Sequence, residues 1–245
     1  MFLVSFLFGR LFGRLITLAL ILLIAGGAGW YFFIREDNQL ATTAPAIPAS
    51  IKGDATPAPG SSPAAATGGN VFKIIPAQSE AANFAGETLA RVGLPSTAKG
   101  VTKDIEGQFA LTPDGLDTAK TTKFTVKLTS LKSNEPQRDT RAQGALETAK
   151  FPTATFTATK LTGLPKEFPA GTEVPLQLTG TLDLHGVQKE VTWDVKAKKE
   201  GAGFSALATV KFKYADFSIN RPNLAGFVSV DEDVTLQVQI IAQAS

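Results

Sequence analysis

Hydrophobic and polar side chains alternate with a period of two through most of residues 70–245, the pattern of half-buried β-strands. It is clearest over 176–197, LQLTGTLDLHGVQKEVTWDVKA. There Leu176, Leu178, Leu182 and Leu184 share one face and Thr179, Thr181 and Asp183 the other. After His185-Gly186 the scheme repeats, with Val191, Trp193 and Val195 inward against Thr192, Asp194 and Lys196, so the stretch predicts a β-hairpin with one apolar face. Phe124, Val126 and Leu128, and later Val234, Leu236, Val238 and Ile240, follow the same rule. The pattern predicts about eight or nine strands, near 71–75, 80–90, 103–111, 123–131, 153–161, 173–185, 188–199, 203–214 and 228–242. An antiparallel all-β domain of this kind closes as a sandwich or a barrel, and a barrel can keep an apolar interior for a ligand.

One stretch interrupts the alternation. Residues 132–150, KSNEPQRDTRAQGALETAK, carry a candidate cap in Asn134, Pro136 near a first turn and helix formers up to Leu146, which predicts one short helix; Gly144 weakens it, and a polar loop is the alternative.

The N-terminal third has a different character. Leu15 to Ile34 are 20 uncharged residues, enough as a helix to cross about 30 Å of hydrocarbon. Arg10 and Arg14 precede this run without an acid, whereas Arg35 is followed at once by Glu36 and Asp37, so the positive-inside rule puts the N-terminus in the cytoplasm and the rest outside. The aromatic end Trp30-Tyr31-Phe32-Phe33 favours a retained anchor, giving a single-pass protein of the cell membrane with an extracytoplasmic C-terminal domain. A cleaved signal, with Leu15–Ile24 as its apolar core and Ala25–Ala28 as the cleavage region, is the alternative and would leave a secreted or periplasmic product. Residues 36–69 hold five prolines among Ala, Thr, Ser and Gly and predict a disordered tether with a reach of about 30 Å. Three segments follow: 1–35, stub and anchor; 36–69, linker; 70–245, barrel domain.

Chemistry narrows the function. The formal net charge of +2 offers no field for nucleic acid, and the absence of cysteine removes thiolate metal sites and Cys nucleophiles. His185, the only histidine, sits where turn geometry explains it; no GxSxG elbow accompanies it, and one histidine is too few for a catalytic zinc. The residues therefore predict no enzyme, no metal and no cofactor. Asp216, near a strand end, reads as structural, either a turn cap or a barrel-end hydrogen bond.

Alternation points Phe84, Phe109, Phe124, Val126, Phe156, Leu178, Leu182, Trp193 and Val210 inward, where they would either line a cavity or fill it. Arg138 and Arg141, with Lys132 as a third member, could clamp an anionic head group at a barrel mouth; a solvated helix face with a local ion pair is the bland alternative.

Several blocks, in order, resemble the YceI-like family: FKIIPAQSEAANF, QRDTRAQGALETAKFPTATF, LTGTLDLHGVQKEVTWDV, YADFSIN and VSVDEDVTLQV. Where that family commonly has Arg-Ser-Asp-Phe-Gly, this chain has Tyr214-Ala215-Asp216-Phe217-Ser218, so no role of that Arg carries over. The resemblance implies a lipocalin-like barrel with an elongated apolar cavity for a polyisoprenoid tail and a head group near the mouth. The expectation is thus a membrane-anchored extracytoplasmic lipid-binding module for an isoprenoid lipid, a polyprenyl phosphate or a quinone. The rival is a ligand-free barrel serving as a structural or stress-related protein-interaction domain. The polar outer faces suit a monomer or a homodimer equally.

Overall fold

The computed structural model describes residues 38–52, 70–89, 94–224 and 228–245. The anchor predicted at 15–34 lies outside them. Among the described residues no helix is long and apolar enough to cross a membrane.

Twelve strands form one antiparallel sheet: β1 (Asn70–Ile74), β2 (Glu80–Leu89), β3 (Leu94–Thr102), β4 (Ile105–Thr112), β5 (Gly115–Leu116), β6 (Lys123–Lys127), β7 (Thr153–Thr162), β8 (Val174–Leu184), β9 (Val187–Glu200), β10 (Gly203–Lys213), β11 (Asn223–Leu224) and β12 (Val228–Ala244). The sheet closes on itself. β12 is long enough to pair with β10 along one edge, and with β2 and then β1 along the other. β2 pairs with β3 and β1 with β4, so β1–β2 and β3–β4 act as two broken strands in an eight-strand barrel. β6, β7, β8 and β9 complete the circuit in chain order. Closure removes the sheet edges that an open sheet of this length would expose.

The predicted hairpin forms as read. β8 and β9 pair from Val174↔Ala197 to Leu184↔Val187, and His185 and Gly186 make the turn with φ of 56° and 74°. Two left-handed residues in succession match the right-handed twist of the flanking strands. β3 is the strand that alternation missed. Its sequence, LPSTAKGVT, has a proline and small residues in place of large apolar ones, yet its backbone pairs with β2 from Ala81↔Thr102 to Leu89↔Leu94. Gly100 packs closely, and a Cβ there would come within 2.5 Å of Asn83 Oδ1 and force that side chain to shift. The strand expected over 123–131 ends at Lys127, where a 3-10 turn buries Leu128 and its N–H donates to Pro152 O at 2.8 Å.

The predicted helix is Pro136–Ala145, with Pro136 as its first residue. Its cap is Glu135, not Asn134: the Glu135 carboxylate accepts the Gln137 N–H, while Asn134 Oδ1 accepts from Arg138 Nη1 at 2.8 Å.

The tether prediction needs correction over 38–52. Ala44, Ile47 and Ile51 are buried, and the two isoleucines cluster with Ile241 on the outer wall of the barrel. The Gln237 amide clamps the segment at both Ala41 N–H (2.8 Å) and Ala41 O (2.9 Å). Glu173 accepts the Ala44 N–H at 2.9 Å, Lys198 reaches Ala44 O, and Lys52 pairs with Glu200 at 2.8 Å. Composition hid this strap because three apolar side chains show no period, yet they suffice when a finished wall receives them.

Candidate functional site

The barrel is hollow. Its interior holds a cavity of about 210 Å³, and among the described residues no charged side chain lines it. At one end, where β1, β4 and the start of β10 meet, aromatic rings form a plug. Phe72 stacks on Phe109 at 5.1 Å, Phe204 packs on Phe109 at 4.9 Å, and Phe168 closes against Phe204 at 5.9 Å. The other end is roofed by the helix, whose Ala142 and Ala145, with Leu146, face the cavity.

Of the residues expected inside, Phe109, Phe124, Val126, Phe156, Leu178, Leu182 and Trp193 wall the cavity. Val210 points inward with its partner Leu236 and is buried in the core, but it is not part of the cavity wall. Phe84 is a correction. Its cross-strand partners are Thr235 and Lys99, on the outer face, and the Lys99 ammonium lies 5.6 Å from its ring centre. The inward side chains of β2 are Ala81, Asn83 and Ala85, opposite Val238, Leu236 and Val234. Alternation leaves the choice of face open, and on β2 the small residues take the interior.

The three cations read as a head-group clamp lie outside the cavity wall. Arg138 reaches from the helix to Glu87 of β2 at 3.4 Å. Arg141 is exposed, with Gln137 Oε1 at 3.5 Å, and Lys132 is exposed while its backbone bridges to Val101. Beside Glu87, Tyr214 lines the roofed end. Burial, reinforced by the Glu87 charge, pushes its phenol from near 10 up to about 12. A raised folded value means that the unfolded chain ionises first. The protection is whole below pH 10 and is lost as pH climbs through 12, so stability should fall more steeply across that window in the natural protein than in Tyr214→Phe. Urea unfolding midpoints from pH 9 to 12 check this; parallel curves would refute it.

His185 serves the turn. Its Nδ1 is 3.1 Å from Phe217 O, and its ring packs edge-on to Phe151 at 4.8 Å, tying the hairpin to the 3-10 turn Tyr214–Phe217. Asp216 caps that turn, accepting from Lys213 N–H at 2.9 Å. Among the described residues no group of three or more acids or histidines could hold a metal ion.

Sequence reasoning missed three polar atoms. Trp193 Nε1, Thr122 Oγ1 and Asn83 Oδ1 belong to wall residues, are buried, and have no hydrogen-bond partner among the described residues. The only available signal was Trp193, an indole among leucines and valines.

The sequence profile of the YceI-like domain matches residues 72–242. Protein YceI of Escherichia coli O157:H7 is 33% identical over 154 residues, covering 59% of this chain and 74% of that protein. Among solved structures, a polyisoprenoid binding domain from Saccharophagus degradans, implicated in plant cell wall breakdown, superposes with a TM-score of 0.55 at 18% identity, covering 71% of this chain and 98% of that one. Burkholderia cenocepacia BcnA gives a TM-score of 0.52 at 18% identity, covering 69% of this chain and 99% of its own. At such identities these two likenesses are of fold.

Proposed function

The chain belongs to the YceI-like domain family, and from that premise we propose that it is a lipid-binding module that encloses an isoprenoid-type tail in its barrel. The observation that carries this reading is the hollow: an uncharged cavity of about 210 Å³, sealed at one end by phenylalanines and roofed at the other by a helix. Buried hydrocarbon contributes about 0.8 kcal/mol per CH₂, so a tail alone supplies micromolar affinity once some ten groups are enclosed. The named ligand of the Saccharophagus degradans domain is of the same kind. A ligand-free interaction domain would favour a filled interior. The role is binding without a chemical step, consistent with a histidine committed to turn geometry.

The proposal extends to place. The uncharged run Leu15–Ile34, preceded by Arg10 and Arg14, supports a single-pass anchor with the barrel on the extracytoplasmic side, where it would exchange a polyprenyl phosphate or a quinone with the adjacent bilayer.

The test is to express the full chain with export in a bacterial host, purify it in mild detergent, and analyse it by native mass spectrometry and organic extraction. A stoichiometric prenyl lipid supports the reading. Protein that carries none, and takes up neither added polyprenyl phosphate nor quinone, overturns it.

A further inference from the structure

Resting on the lipid-binding reading, we propose that the cavity contains a hydrogen-bonding subsite, the Trp193 indole N–H with the Thr122 hydroxyl, that receives a neutral oxygen of the ligand and favours such lipids over phosphorylated ones. Trp193 is 5% exposed and Thr122 3%, both line the cavity, and neither polar atom has a partner among the described residues. Buried donors are almost always satisfied, and an orphan destabilises the fold; in an interior built to stay empty, Leu and Val would remove that cost.

The two residues share the middle storey of the barrel. Thr122 O accepts the Ala158 N–H at 3.0 Å, Ala158 pairs with Gly180, and Gly180 pairs with Val191, two residues before Trp193. Between them lies the Phe156 ring, which packs over Gly180, where a Cβ would come within 2.8 Å of it, and meets the Trp193 ring at 5.8 Å. Asn83, the third orphan, stands on β2, which β12, with its inward residue Leu236, separates from β10.

The charge pattern argues the same way. Among the described residues no cation lines the cavity, so a phosphate drawn inside would meet no compensating charge from them. At the roofed end Arg138, outside the cavity wall, is already paired with Glu87 at 3.4 Å and engaged by Asn134 at 2.8 Å. A phosphate there would meet a carboxylate. The ligand class that fits is an isoprenoid bearing a hydroxyl or carbonyl oxygen; the two share the acceptor that an indole N–H can reach, and the hydroxyl can also donate to Thr122.

The experiment titrates the full chain in mild detergent with farnesol, farnesyl acetone, farnesyl phosphate and the saturated C15 hydrocarbon farnesane, with occupancy read by native mass spectrometry. Farnesol and farnesyl acetone should bind at least tenfold more tightly than the other two; the farnesol-to-acetone ratio separates hydroxyl from carbonyl recognition. Trp193→Phe and Thr122→Val should each weaken the oxygenated probes about tenfold, the worth of one hydrogen bond, and leave farnesane unchanged. Thr122→Ser should restore binding. Thr122→Val should also keep or raise the unfolding midpoint of the empty barrel, because it removes an unpaired hydroxyl. Equal affinity for all four probes, or variants that keep the natural preference, overturns the subsite and leaves lipid binding standing; failure of every probe to bind overturns both.

Discussion

Ala208→Trp is expected to abolish lipid uptake, by a factor of 100 or more, while the barrel still folds. Ala208 stands on β10 between Val195 and Val238, faces inward and lines the cavity. A cavity of about 210 Å³ cannot hold both an indole and a prenyl tail. Excluding four methylene groups from burial removes about 3 kcal/mol, or roughly a hundredfold in affinity. Adding bulk to a solid core costs about 1–3 kcal/mol, but here the ring enters a void, so the cost should sit at the low end. Lys211→Trp, on the exposed side of the same strand, is the control and should bind normally. Extraction of prenyl lipid from the three proteins, beside their circular dichroism, decides the matter: a folded Ala208→Trp protein that still carries lipid would show that the tail lies elsewhere.

The second large effect concerns stability. Replacing both strap isoleucines, Ile47→Ala with Ile51→Ala, should cost about 4 kcal/mol or more, since each large-to-small change at a buried site costs about 2–5 kcal/mol. Gly201→Ala should release the same segment by a different route. Gly201 has φ of 56°, and a Cβ on it would lie 1.8 Å from Lys52 O, so an alanine both strains its own backbone and displaces the strap. Urea unfolding of the full chain measures both. An unchanged midpoint in both variants would mean that the strap contributes nothing to the barrel.

How much of this was readable in advance differs from element to element. Where one face of a strand meets the core and the other meets water, side-chain chemistry records the geometry, and Leu176 to Leu184 and Val191 to Val195 could be assigned at once. β3 left no such record because its pairing is carried by the backbone and its neighbours require small side chains. Phe84 misled for the opposite reason: size suggested the interior, whereas register, set by pairing with Thr235 and Lys99, put it outside. Polar atoms without partners cannot be read from a sequence at all, since whether Thr122 or Trp193 finds an acceptor depends on strands far away in the chain. Likewise, the Arg138 charge looked free until β2 brought Glu87 against it.

The phenylalanine plug sets a ruler for the guest. Between Phe204 at the sealed end and Phe212 near the roof, β10 advances eight residues. At about 3.3 Å per residue and a strand tilt of about 40°, that is a usable depth of about 20 Å. A short prenyl chain can lie straight within it, but a long one has nowhere to go beyond Phe72 and Phe109, and must double back on itself or leave its far end outside the barrel. Chain length, as well as head-group chemistry, therefore becomes a selectable property of whatever this protein carries.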